Sequence, residues 1–162
     1  MKKIAFQNNK RFVPRGTPAI QSDLSSSGSF GGMLAGIRRD TRHECLPTDK
    51  WQGPFCVSTV DDMIGTAISL QGIRVLVFGS YHRGGASHEQ IAQVFTYTSQ
   101  GRVPFFWLAD WNEPPDSISI TSWISTLRAE VVVPSGGPTC INPGKDSIID
   151  YMVCSSAVLG LI

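Results

Sequence analysis

Ile73-Arg74-Val75-Leu76-Val77-Phe78-Gly79, then Ser87 to Gly101, then Val103-Pro104-Phe105-Phe106-Trp107-Leu108-Ala109 is the stretch that decides the fold. The first and last runs are apolar, β-branched or aromatic almost throughout, as expected of strands covered on both faces. Between them Ser87 stands where a helix N-cap belongs, and Gln90 three residues on completes a capping box. Ile91, Val94 and Phe95 supply an i, i+3, i+4 apolar face, and Gly101 supplies a stop. Strand, helix, strand is a crossover unit whose two strands tend to lie side by side. The chain therefore reads as an α/β layered domain rather than a bundle or a pure sandwich.

Working outward, Pro54 to Val60 and Met63 to Leu70 read as strands joined at Asp61-Asp62, and Gly72 turns the chain into the Ile73 run. Gly31 to Arg38 is a further strand, opened by glycines that let the backbone turn sharply. Residues 1–30 read as an irregular or mobile N-terminal segment, because Asn8 to Phe30 shows no apolar period and carries Pro14, Gly16, Pro18 and a serine-rich run. Downstream, Asp110-Trp111-Asn112-Glu113-Pro114-Pro115 ends the second strand, since paired prolines cannot continue a ladder. Trp123, Ile124 and Leu127 suggest a short helix, Glu130 to Val133 a short strand, and Ser147 to Ser155 a last strand. Residues 31–162 are then one domain, and the whole chain of 162 residues suits a single core.

Apolar residues make up 41% and charged residues 17% of the chain, which excludes disordered and collagen-like classes. The formal net charge of +1 gives no support for broad electrostatic capture of nucleic acid, so any phosphate binding is local. Basic residues thicken at Lys2, Lys3, Lys10, Arg11 and Arg15 and again at Arg38, Arg39, Arg42 and His43, which a solvated surface explains. Cys45, Cys56, Cys140 and Cys154 show no C-x-x-C spacing, and buried thiols are the reading preferred. No stretch approaches the ~20 apolar residues of a membrane span, and Gln7-Asn8-Asn9-Lys10 interrupts any secretory core after Phe6. The expected setting is intracellular, the nucleus included, with no membrane and no obligate protein partner.

The residues that could carry chemistry sit at strand ends, where open α/β sheets place their ligand crevices. Asp110 and Asn112 offer a carboxylate and an amide two residues apart beyond an apolar strand. Such oxygen donors suit Mg²⁺ or Mn²⁺, and the amide can also hold a phosphate oxygen. The alternative is that they only form an Asx turn before the prolines. Asp150 lies in Ile148-Ile149-Asp150-Tyr151-Met152-Val153, so burial of its charge would demand a partner: an arginine, a histidine or metal-bound water. Tyr81 and His82 follow the Ile73 strand and could reach the crevice of Asp110, with an ordinary loop role as the alternative.

Four short motifs in order carry a resemblance. Leu108-Ala109-Asp110-Trp111-Asn112-Glu113-Pro114 resembles the "GDFN" or "GDWN" motif of the endonuclease/exonuclease/phosphatase superfamily, and Ser147-Ile148-Ile149-Asp150-Tyr151-Met152-Val153 resembles its "S-x-IDY" strand. Gly31-Gly32 resembles the "GGVAI" strand of retroelement-type endonuclease domains, and Val75 to Tyr81 their central strand ending at a tyrosine. The resemblance implies a partial four-layer α/β sandwich, two β-sheets flanked by helices, with a Mg²⁺ or Mn²⁺ site at its top. It implies phosphodiester hydrolysis on nucleic acid, DNA ahead of RNA. By carry-over Asp110 would orient or deprotonate the attacking water and, with Asn112, bind the metal. Asn112 and Tyr81 would hold phosphate, and Asp150 would orient a catalytic histidine; His82, read from its place in the chain alone, could donate to the same phosphate or shuttle a proton.

The sequence also departs from that family. No glutamate before Glu44 stands in the context of the family's metal-binding glutamate, no "SDH"-like ending with its histidine follows Asp150, and Ala109 replaces a glycine. The resemblance thus implies a domain cut short at both ends, with hydrolysis impaired. Three readings stay open: a nuclease domain, a non-catalytic remnant or binding module of the same fold, and a phosphatase of small phosphoesters.

Overall fold

The computed structural model describes residues 12–17, 20–21, 29–30, 33–44, 56–57, 63–82, 87–99, 102–141, 144 and 146–161. The strands are β1 Phe12–Thr17, β2 Ile20–Gln21, β3 Ser29–Phe30, β4 Met33–Arg38, β5 His43–Glu44, β6 Cys56–Val57, β7 Met63–Leu70, β8 Ile73–Tyr81, β9 Phe105–Asp110, β10 Ala129–Val132 and β11 Asp150–Ser155. Helix α1 spans His88–Ser99, helix α2 spans Ile118–Leu127, and a 3-10 helix, Ser156–Leu161, follows β11.

The expected crossover unit forms the middle of a seven-stranded sheet of order β10-β11-β9-β8-β7-β5, with β6 also on β7. Strands β8 and β9 run parallel, joined through α1, while β7–β8, β9–β11 and β10–β11 are antiparallel. The capping box closes as the sequence predicts: Gln90 N–H donates to Ser87 Oγ at 3.2 Å and Ser87 N–H to Gln90 Oε1 at 3.0 Å. These bonds satisfy backbone donors that would otherwise be orphaned at the start of α1. Of the apolar face read for α1, Val94 is buried and Ile91 half-buried, while Phe95 is 44% exposed.

Alternation along the strands sends one set of side chains under the helices and the other to the opposite face. Leu76, Phe78, Phe105, Trp107 and Val153 pack with Val94 of α1 and Trp123 and Leu127 of α2. On the other face Val75, Cys154 and Val158 form a smaller core, with Ile68 and Phe106 against it. A second sheet, the antiparallel pair β1–β4, runs against β7 and β8 through β4. These sheets with the helices give the mixed α/β sandwich that the sequence implies, and β2 and β3 form a further antiparallel pair.

Two readings need correction. Phe12–Thr17 is a strand where the sequence predicts irregular chain; its pairing is long-range, Pro14 opposite Gly36 and Phe12 opposite Arg38, and a proline is tolerated in a strand paired on one side only. The last strand begins at Asp150, not Ser147. Ser147 makes only an isolated bridge to Cys140, and the N–H groups of Ile149 and Asp150 both turn to Thr139 Oγ1 at 2.9 Å. Of the cysteines, Cys154 is buried and Cys140 half-buried, while Cys45 and Gly101 lie outside the described residues.

Candidate active site

Register builds the site. In the antiparallel pair β9–β11, Asp110 stands opposite Asp150, and in the parallel pair β8–β9, Tyr81 stands opposite Asp110. Tyr81, Asp110 and Asp150 therefore form one row across three adjacent strands. Paired residues share a face of the sheet. The next row, Ser80, Ala109 and Tyr151, faces the buried side under the helices. Asp110 and Asp150 border a hollow of about 510 Å³ whose floor includes Leu108, Val132 and Met152. The two carboxylates thus meet in one place although forty positions separate them in the chain.

Asp110 is half-buried, and its carboxyl is pushed above the usual aspartate range by burial first. The Asn112 N–H, donating to Asp110 Oδ1 at 3.1 Å, opposes that shift, and the charge of Asp150 adds to it. That N–H bond is the Asx turn of the bland reading. It engages one carboxylate oxygen, so Asp110 both forms the turn and faces the hollow.

Asn112 is exposed and takes the left-handed backbone conformation, φ 51°, which asparagine tolerates better than most residues. Its carboxamide Nδ2 donates to the His82 carbonyl. Asp150 is exposed, so its charge is not buried and needs no ion-pair partner, contrary to the expectation for a mid-strand acid. It heads β11, and Thr139 Oγ1 holds its backbone N–H. Among the described residues no histidine is bonded to its carboxylate.

His82 is not at the crevice. Its ring is 2% exposed, stacked on Trp111 at 4.7 Å between centroids and met edge-on by Trp107 at 5.8 Å. Nε2 lies 2.7 Å from Ser80 Oγ, which accepts the Trp107 indole N–H at 2.7 Å. Burial lowers its pKa to about 4, against a smaller opposing effect of Gln90. The imidazole is therefore neutral at pH 7 and directed into the core, while its backbone faces the site: His82 N–H donates to Asp110 O at 2.9 Å.

Sequence reading missed three supporting residues. Trp111, fully buried, donates from Nε1 to Tyr151 O at 3.0 Å and from its backbone N–H to Ile149 O at 2.7 Å, so it roots the loop between Asp110 and Asn112. Ser80 carries a signal, a hydroxyl in an apolar strand. Thr139 carries none, since its role depends on a turn between distant residues.

No family model matches the sequence, and no curated protein matches it. Solved structures do match in shape. The chain is similar to the human Nocturnin catalytic domain with bound sulfate anion, at 11% identity over 90% of this chain and 61% of that one, TM-score 0.55. It is similar to the endonuclease domain of TRAS1, a telomere-specific non-LTR retrotransposon, at 14% identity over 91% and 69% of the two chains, TM-score 0.59. It is also similar to the endonuclease/exonuclease/phosphatase from Bacteroides vulgatus, at 12% identity over 90% and 65%, TM-score 0.53. The chain has the fold of the endonuclease/exonuclease/phosphatase superfamily, as its four motifs imply. It spans 61% of the Nocturnin chain, and at such identities the likeness establishes architecture alone.

Proposed function

We propose that this chain carries a phosphodiester-hydrolysing site for nucleic acid, DNA ahead of RNA, that works with Mg²⁺ or Mn²⁺. The observation that supports the reading is the in-register row of Tyr81, Asp110 and Asp150, whose two acids border one hollow.

The donor set fits a hard divalent cation in part. Asp110 and Asp150 present oxygens, and the charge of Asp150 already raises the pKa of Asp110, a repulsion that a cation relieves. Among the described residues no group of three or more His, Cys, Asp or Glu converges. Magnesium sites commonly use one or two carboxylates and complete their shell with water and phosphate oxygens, so two acids suffice for such a site. When bound, the cation supplies charge neutralisation at the phosphate and acidifies water.

The chain's own groups take the remaining roles. Asp110 has one oxygen tied to the Asn112 N–H and another left to orient or deprotonate the attacking water, and its raised pKa makes it the stronger base. Tyr81 donates its hydroxyl to a phosphate oxygen. Asn112 would orient phosphate or the cation, and Asp150 would help Asp110 hold the cation instead of orienting a histidine. His82 is assigned no contact with substrate because its ring is in the core.

Supercoiled DNA nicking with Mg²⁺ or Mn²⁺, wild type beside Asp110→Ala, tests the proposal: metal-dependent nicking that the substitution abolishes supports it. The scarcity of donors among the described residues favours a second reading, a non-catalytic binding module of the same fold. If neither protein nicks, titration calorimetry with Mn²⁺ decides whether a cation site exists, and absence of heat removes the metal from the proposal.

A further inference from the structure

We infer that His82 is a positioning residue, which fixes the Asn112 carboxamide so that Oδ1 is the atom left for the site. The inference rests on the proposed function only for what Asn112 does there; the positioning itself stands on geometry.

The His82 ring is held at Nε2 and against two indoles, while Nδ1 is buried with no hydrogen-bond partner among the described residues. Ser80 Oγ meets Nε2 at 2.7 Å and is itself fixed by the Trp107 indole, and Trp111 stacks on the ring face. A ring locked this way fixes the backbone that bears it, and that backbone makes two bonds into the candidate site. His82 N–H donates to Asp110 O at 2.9 Å, and His82 O accepts Asn112 Nδ2. Main-chain carbonyls cannot donate, so the amide must turn its NH₂ to His82; the reverse orientation would set two acceptors against each other. One amide hydrogen is thereby committed, and among the described residues nothing bonds the carbonyl oxygen of Asn112. An oxygen suits a cation or a water proton, whereas a phosphate oxygen needs a donor. The buried histidine so selects which end of Asn112 serves the site, without touching a substrate.

The test is amide exchange at Asn112 in metal-free protein, its side-chain NH₂ resonances assigned by their loss in Asn112→Asp. In wild type the NH₂ should exchange about tenfold more slowly than in the urea-unfolded chain, the effect of one ordinary hydrogen bond. Ser80→Ala and His82→Ala should each remove that protection while the amides of β9 stay protected. In nicking assays both variants should lower kcat by about tenfold with KM within about twofold, since orientation and not binding is lost. Wild-type exchange at the unfolded rate, or full protection in both variants, would overturn the inference. If His82→Ala does not fold, Ser80→Ala decides alone. Wild type that never nicks DNA defeats the proposed function, and the exchange result still decides the positioning.

Discussion

Replacing Trp111 by Phe should destabilise the fold by roughly 3–4 kcal/mol, because two separate losses follow from one side chain. Trp111 is fully buried, 4.7 Å from the His82 ring, 4.9 Å from Trp107, 5.7 Å from Trp123 and 5.4 Å from Tyr151, between centroids. Phe retains much of this stacking but removes about three buried heavy atoms, worth about 2 kcal/mol by transfer. It also deletes the Nε1 donor to Tyr151 O, worth about 1–2 kcal/mol. Urea unfolding followed by far-UV circular dichroism reads the sum. With m about 2 kcal/mol/M, the midpoint should fall by about 1.5–2 M at unchanged m. Phe95→Ala, at a side chain 44% exposed, should move it by less than about 0.3 M. A Trp111→Phe midpoint within about 0.5 M of wild type would refute the argument that this indole roots the site loop.

Three further outcomes are expected. Because His82 titrates near its ordinary value when unfolded and at about 4 when folded, the unfolded chain binds more protons between those values, and stability should fall as pH drops through that window. The loss should total about 3 kcal/mol, and urea titrations of His82→Phe should lack this component. Tyr151→Phe should be neutral or stabilise by about 1 kcal/mol in the same assay, since among the described residues its buried hydroxyl has no hydrogen-bond partner and burial pushes its pKa up. Asp110→Asn, in chelator, should melt higher than wild type at pH 7: a carboxyl whose folded pKa is raised gives stability at low pH that is lost as pH rises through that value. The difference should close below the ordinary aspartate range, and the variant should not nick DNA.

Local signals made the middle of the fold legible. The apolar runs of β8 and β9 and the Ser87/Gln90 box specify a crossover without reference to the rest of the chain, and their strand ends carry Tyr81 and Asp110. What failed was long-range. The hydrophobic pattern of Phe12–Thr17 is silent because its strand exists through pairing with Met33–Arg38. The sequence pattern buries Asp150 because it starts the last strand at Ser147, three residues early, and only the bonds of Thr139 show where pairing starts. For His82 the signal was available: side chains two apart on a strand share a face, so if Ser80 points to the core, His82 does too and Tyr81 does not.

Like charges directly opposed on neighbouring strands are destabilising, and nothing about β9 or β11 as strands requires an acid at both ends of that pair. Yet Asp110 and Asp150 stand opposite each other where the sheet opens, and the carboxyl of Asp110 is raised partly by its neighbour. Around them the polar groups are satisfied locally: Thr139 holds the Asp150 backbone, Asn112 tightens the Asp110 turn, and His82 holds both Asp110 and Asn112 through its main chain. A scaffold this constrained keeps the two acids from relaxing apart. Repulsion that is built in and held in place is discharged by a cation or a proton, and among the described residues neither carboxylate has an ion-pair partner. If the two acids act on each other as proposed, Asp150→Asn should lower the pKa of Asp110 toward the ordinary range, and a carboxyl titration followed by NMR that shows no movement would undo the pairing.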